Sequence, residues 1–492
     1  MRSEWRKRSP SSERLLPRRS VTSVEQKGWI QRRYVLAVMG SICIMMMFIL
    51  KVNFSVGLVA MVKPVSQHNT SNGTLHQGNE GEEGEFDWDI ETQGNILAAY
   101  FYGYVATQML GGYAASRWGG KVVVGPGIAL TGFFTLFTPV AARQGGPWAL
   151  FAVRVLQGLC SGIVMPGMQY LFSQWFPPQE HATFSGAVFS AMHSGTVIGM
   201  AASGPLSKWP LEGGGWPMVF YFFGAIGAAL IVPWWLLVFD SPECHPRISE
   251  QEKNYILAGQ GTEKKAMKHQ TSAPLPWLSI LTDIHVWAAI IYQWSSGWVL
   301  YIMLSDIPTY MKNILHFDIQ KLAFLSAVPS LLTWIASVFS GIVSQWIRKK
   351  KYLSHRTTYL VFNAIAALGS AAALIAVAQV GYDPDTIVIL LSVSGLLSGA
   401  FFGGSYLNHL DLAINYAGAI SGILHTVSNS SGIFVPIVVA AIVEEEQTVE
   451  RWSIVFYTGA FISIAAYVLY FFFGSVQERP WNNPKKLDQE AT

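Results

Sequence analysis

Arg154, Gln157 and Ser161 stand at i, i+3 and i+7 of an apolar stretch covering 148–172, within "RVLQGLCSGIVMPG". On a helix this spacing makes one cationic, hydrogen-bonding face. Gly158 and Gly162 add a small-xxx-small pair that permits close helix approach. A charge in such a segment calls for a carboxylate partner, a water-filled cavity or an anionic ligand. Arg154 therefore either locks its helix to an acid elsewhere or holds an anion, and the anion site is the favoured reading. Lys51, in "ILKVNFSVGLV" beside Asn53 and Ser55, is a second buried-segment cation. It either snorkels to an interface or joins Arg154. A guanidinium grips a carboxylate or phosphate as a fork, whereas an ammonium acts as a point charge.

Weaker candidates follow. Tyr301 and Asp306 share "WVLYIMLSDIPTY"; His193 lies in "SAMHSGTVIG" and His425 in "ILHTVSNSSG". The histidines titrate near neutrality and suit a proton path as well as packing. Asp306 could neutralise a cation, bind a proton or sodium, or sit solvated near a segment end, since Pro308 and Lys312 follow. His409 and Asp411, in "YLNHLDLA", have the spacing of an acid–base pair. No nucleophile, metal-ligand spacing or phosphate loop accompanies them, so the reading is not an enzyme and includes no metal or cofactor.

The elements that must position these residues are long apolar helices. Of 492 residues, 51% are hydrophobic and 13% charged, against about 25% charged in soluble domains. Runs of roughly 20 apolar residues recur through the chain, as bilayer-spanning helices require, and the alternation of a membrane barrel is absent. Twelve spans are predicted: 34–62, 92–114, 121–142, 148–172, 182–206, 217–239, 285–311, 320–347, 357–380, 386–408, 417–442 and 452–474. The fold class is an all-α membrane protein of two six-helix bundles. An N-terminal tail (1–33) precedes the first bundle (34–239), which contains a polar loop at 63–91. A linker (240–284) leads to the second bundle (285–474) and a C-terminal tail (475–492). A six-plus-six layout suits a transporter whose site lies at the interface of the halves.

The basic tail, the Arg348–Lys351 cluster and the acidic 63–91 loop place both termini in the cytosol. Sequons at Asn69 and Asn72 fall in the outward loop and predict a glycoprotein. Those at Asn53 and Asn429 lie within helices and are read as accidental. Cys43, Cys160 and Cys244 form no disulfide framework. No cleaved signal peptide is apparent, and Trp residues flanking the spans read as interface anchors.

"GGYAASRWGGKVVVG" resembles the loop between helices two and three of the major facilitator superfamily. More narrowly, "WDIETQGNILAAYFYGYVATQMLGGY", "RVLQGLCSGIVMPG", "FYFFGAIG", "RISEQEKNYI", "IPTYMKNIL" and "YLNHLDLAINYAG" resemble the anion–cation symporter family, with its sialin, vesicular glutamate and sodium-dependent phosphate branches. The resemblance implies alternating-access transport of a small anion, with Arg154 in the anion-binding place and Tyr301 in the helix-seven tyrosine place. Lys51 stands where the family usually has arginine. Proton-coupled members carry a glutamate at the place of Ser161, and sialin another at that of Gln157; neither residue here takes up a proton.

The expectation is a secondary transporter of small organic anions, with a sodium–phosphate cotransporter or an anion channel as alternatives. Arg154, Lys51, Tyr301, Gln157 and Ser161 would bind substrate; Asp306, His193, His409 and His425 are coupling candidates for H+ or Na+. Expected partners are the anion and membrane lipid, not nucleic acid, with a functional monomer. "SSERLLP" resembles acidic dileucine sorting signals with the acid displaced, leaving plasma membrane and lysosomal or vesicular membranes open.

Overall fold

The computed structural model describes residues 31–63, 84–210, 215–258, 276–413, 417–444 and 446–482. The N-terminal sorting motif and the sequons at Asn69 and Asn72 lie outside these residues. Helices occupy every predicted span. The first half comprises α1 (Arg32–Met61), α2 (Ile90–Trp118), α3 (Gly120–Leu136, with helical turns continuing to Gly145), α4 (147–175), α5 (Pro178–Ser207) and α6 (Pro217–Leu237). The second comprises α7 (284–313), α8 (Ile319–Lys349), α9 (His355–Val380), α10 (Pro384–Gly403), α11 (Ala417–Val443) and α12 (Val449–Phe473).

Local chemistry sets the boundaries. Asp89, Asp283, Asp318, Ser354 and Thr448 cap helix starts by accepting from backbone N–H groups of the first turn. Helical hydrogen bonding runs almost unbroken over Thr138–Trp175, 38 residues, nearly twice the length a bilayer needs. Gly146, at φ 64°, ends the third span and starts the fourth. Such a left-handed conformation suits glycine. Helices α7 and α9 each contain a π-helical turn, at Ile302–Asp306 and Ile365–Gly369. These turns break the regular hydrogen-bond ladder and often mark functional positions.

Glycines fix the closest helix approach. A Cβ on Gly158 would lie 1.9 Å from the Tyr100 carbonyl oxygen, and one on Gly103 would lie 2.2 Å from that of Val155. Helices α2 and α4 therefore pack backbone to backbone, and Arg154 comes to lie beside Tyr100. Between α2 and α3, Gly119 turns at φ 95° while Asp240 accepts from the Lys121 amide at 2.8 Å. This is the tight loop expected of the glycine-rich motif. The linker docks on the first half: Glu252 accepts from the amides of Arg32 (3.0 Å) and Arg33 (3.1 Å), capping α1.

The halves meet through α2 with α11 and α5 with α8. At the end where α2 begins and α5 finishes, Gly94 faces the Pro436 carbonyl and Gly204 faces Ile319 and Ala323. There Lys208, at the end of α5, forms an ion pair with Asp318, the cap of α8. The opposite end parts around a central cavity.

Candidate anion site and central cavity

The cavity measures about 840 Å³ and separates the halves. Its mouth reaches Tyr113 and Ser116 on α2 and Trp277 before α7; its inner end reaches Tyr104, Gln108, Tyr301 and Asn429. Aromatic and small polar side chains line it, with His193 on α5 and His425 on α11; no Asp, Glu, Lys or Arg side chain does so among the described residues.

The cations lie just beyond the inner end. Lys51 is 7% exposed, so snorkelling is corrected: its ammonium points into protein. Nζ donates to the Tyr301 hydroxyl at 3.1 Å and sits 4.7–5.9 Å from the ring centroids of Phe48, Tyr100, Phe101, Tyr104 and Tyr301. Desolvated cation–π contacts of this kind are worth about 2 kcal/mol or more, and they help hold an ammonium without a counter-ion. Arg154 is 2% exposed. Its guanidinium carbon stacks 4.1 Å from the Phe54 centroid and 4.9 Å from that of Tyr100, so Tyr100 contacts both cations. Nη1 donates to Gln157 Oε1 at 2.9 Å, and Nε has no hydrogen bond. Among the described residues neither cation belongs to an ion pair. Both border a void of about 10 Å³ with Ser55, Phe101, Tyr301 and Ser305.

Gln157 is a positioning residue: its amide nitrogen donates to Thr138 Oγ1 at 3.0 Å while its oxygen orients Arg154. Ser161 turns its hydroxyl onto the Gly158 carbonyl of its own helix. The i, i+3, i+7 face thus exists, but it lies behind the cavity wall. Tyr301 is the link between the two regions, bordering both cavity and void. Its hydroxyl donates to Asn429 Oδ1 at 2.8 Å, and Asn429 Nδ2 donates to Gln108 Oε1 at 3.3 Å and to the His425 carbonyl at 2.7 Å. A polar chain therefore crosses from Lys51 to the second half and back to Gln108. Sequence reasoning missed Asn429 and Gln108, although each is an amide within an apolar helix, a signal in itself.

Asp306 is 4% exposed, correcting the solvated alternative; it closes the π-turn of α7, and Oδ2 has no hydrogen bond. His193 borders the cavity with its ring 5.4 Å from Phe402 and Nε2 unbonded. His425 Nδ1 lies 3.4 Å from Gln293 Nε2, and His409 packs 6.2 Å from His425 behind the wall. Asp411 instead engages the Tyr359 hydroxyl at 2.9 Å and His355 at 3.6 Å. It lies in the short helix Asn408–Leu412 between α10 and α11 and is bonded to the start of α9 rather than to His409.

Outside the spans, Asp283 ties the C-terminal segment to α7: Arg479 and Trp481 donate to it at 2.7 and 2.8 Å. Burial alone would raise this carboxyl; the hydrogen bonds from Trp481, Arg479 and the His285 amide outweigh burial and hold it below its ordinary value. Glu85 likewise anchors the segment before α2: burial opposes, but Arg143 and Trp216 hold its carboxyl low.

Two helical halves, a cavity open at one end and sealed at the other, and buried cations at its inner end define a membrane transporter. The chain belongs to the Major Facilitator Superfamily, whose family model matches residues 34–436, and within it to the anion–cation symporter family. Sialin of Homo sapiens is 36% identical over 461 residues, covering 91% of this chain and 90% of sialin. Vesicular glutamate transporter 2 of Homo sapiens is 32% identical over 463 residues, covering 94% and 77% respectively. The crystal structure of a bacterial homolog to human lysosomal transporter Spinster, inward-facing and occupied, superposes with TM-score 0.68 at 13% identity, covering 91% of this chain and 97% of that one. That likeness concerns fold alone. The protein is a multi-pass membrane transporter and not an enzyme.

Proposed function

We propose that the protein is a secondary active transporter of small organic anions, working by alternating access. The observation that carries this reading is the pair of buried cations, Lys51 and Arg154, behind Tyr301 and without carboxylate partners among the described residues. Such charges are strongly disfavoured unless an anion joins them. Movement of Tyr301 would open the void to the cavity and let the anionic group reach both cations. A cavity of 840 Å³ is in the range that encloses organic ligands, which supports an organic anion over inorganic phosphate. The seal formed by Gly94, Gly204 and the Lys208–Asp318 pair supports a carrier over an open channel.

In this reading Asp306, with its unbonded oxygen, is the leading site for H+ or Na+, and His193, His425 and His409 are secondary sites. Both termini face the cytosol, in the plasma membrane or a lysosomal or vesicular membrane. Proteoliposomes with pH, sodium and voltage imposed separately test this across an anion panel. Saturable uptake that needs one gradient, is lost in Lys51→Met and changes its ion dependence in Asp306→Asn is expected. Conductance without saturation, or full uptake by Lys51→Met, refutes it.

A further inference from the structure

We propose that the turn joining α8 to α9 binds the phosphate headgroup of an anionic phospholipid, whose acyl chains lie along the outer face of α8. A separate pocket of about 430 Å³ is formed there by Arg348, Lys351, Tyr352, Leu353, Ser354 and His355. It shares none of the central cavity's lining residues. The donors suit a phosphate monoester or diester: guanidinium, ammonium and imidazole from one short segment. Lys349, Lys350 and Lys351 are exposed, and no ion pair holds them among the described residues. Arg348 Nη1 contacts His355 Nε2 at 3.0 Å, while its buried Nε has no hydrogen bond.

The turn geometry positions these groups. Lys351, at φ 57°, is the left-handed residue that ends α8, with the Tyr352 amide donating to the Ile347 carbonyl at 3.2 Å. This places Lys351 at the pocket wall. Asp411, which reaches the turn through His355, is engaged by Tyr359 and His355, and among the described residues no carboxylate pairs with the three lysines.

The apolar side selects a lipid over free phosphate. Ile335, Phe339, Ile342 and Trp346 are exposed at i, i+4, i+7 and i+11 of α8, one continuous helical face. That face runs into the turn, where the Trp346 and Tyr352 rings meet at 5.3 Å. Aromatic rings beside cations are the usual furniture of a headgroup boundary.

The site also reaches the transport machinery. His355 joins Arg348 to Asp411, and Asp411 lies in the short helix Asn408–Leu412 with His409, which packs on the cavity-lining His425. A headgroup drawing on Arg348 and His355 therefore acts on the segment that follows α10. This inference does not rest on the nature of the transported anion.

The test uses the full-length protein in detergent. Native mass spectrometry counts bound phosphatidylserine against phosphatidylcholine, and a photoreactive phosphatidylserine maps the contact. Wild type should prefer the anionic lipid at least about fivefold and be labelled between Phe339 and His355, since each basic residue near a headgroup is worth roughly a fivefold change. The triple change Lys349→Gln, Lys350→Gln, Lys351→Gln should reduce the preference about fivefold or more at unchanged melting temperature. Equal binding of both lipids, an unaltered preference in the triple variant, or labelling elsewhere overturns the proposal. Displacement by millimolar inorganic phosphate regardless of acyl chain also overturns it, in favour of a free-anion site.

Discussion

Replacing Arg154 by methionine should separate stability from activity. The guanidinium is 2% exposed, keeps one side-chain hydrogen bond, to Gln157, and stacks on Phe54 and Tyr100. Losing a hydrogen bond to a charged group costs about 1.5–3 kcal/mol. The thioether recovers part of the ring contacts, about 0.3–1.5 kcal/mol each. Against these losses stands relief of a buried charge that no carboxylate among the described residues offsets and that Lys51 repels. Exchanging buried ions for apolar groups of similar volume is neutral or gains about 1–4 kcal/mol. The expected melting temperature, read by intrinsic fluorescence in detergent, is unchanged or a few degrees higher. Anion uptake in proteoliposomes at matched protein density should fall by about 30-fold or more, the equivalent of at least 2 kcal/mol for a lost buried charge partner. A melting temperature lower by more than about 5 °C would make Arg154 a structural lock. Uptake within about threefold of wild type would remove it from the anion site.

Gly158→Val puts atoms 1.9 Å from the Tyr100 carbonyl oxygen, forcing α4 off α2; overpacking costs about 1–3 kcal/mol and more against backbone, so monodisperse yield should collapse. Tyr301→Phe keeps the ring beside Lys51 but deletes the bonds to Lys51 and Asn429, at about 1–3 kcal/mol. The halves should then favour this cavity-open state less, and a cysteine at Ser116 in the mouth should react more slowly with a water-soluble maleimide. Asp283 is held below its ordinary 3.8; its depressed folded value means its contribution is complete above 3.8 and lost as pH falls through that lower value. Acid should therefore free the Arg479–Asn482 segment to limited proteolysis, and Asp283→Asn should free it at neutral pH and abolish the acid step.

Much of this architecture is written in the chain because lipid leaves the backbone little choice. Uninterrupted apolar runs can only be helices, and all the predicted spans recur with shifts of a few residues. The Arg154–Gln157 bond was readable too, since i and i+3 share a face. The contact of Lys51 with Tyr301 was not, because 250 positions separate them and only the docking of two halves brings them together. The aromatic surround of Lys51 was half visible in "YFYGY", which supplies Tyr100, Phe101 and Tyr104, but nothing local says the rings face a lysine on α1. Asn429 reads in the sequence as a chance sequon, whereas its side chain accepts from the Tyr301 hydroxyl. Asp306 looked close to water because Pro308 and Lys312 follow; the π-turn that draws it inward has no sequence marker.

The closed end of the molecule rests on unequal supports. The Lys208–Asp318 pair is exposed on both sides, and such pairs contribute about 0–1 kcal/mol and weaken with salt. Gly94 against Pro436 and Gly204 against Ile319 bring main chain to main chain instead. In the alternating cycle proposed above, the absence of two methyl groups, far from the cations, therefore favours the closed state of this end. Adding either methyl would retune how long the transporter dwells on each side of the membrane while leaving its choice of cargo intact.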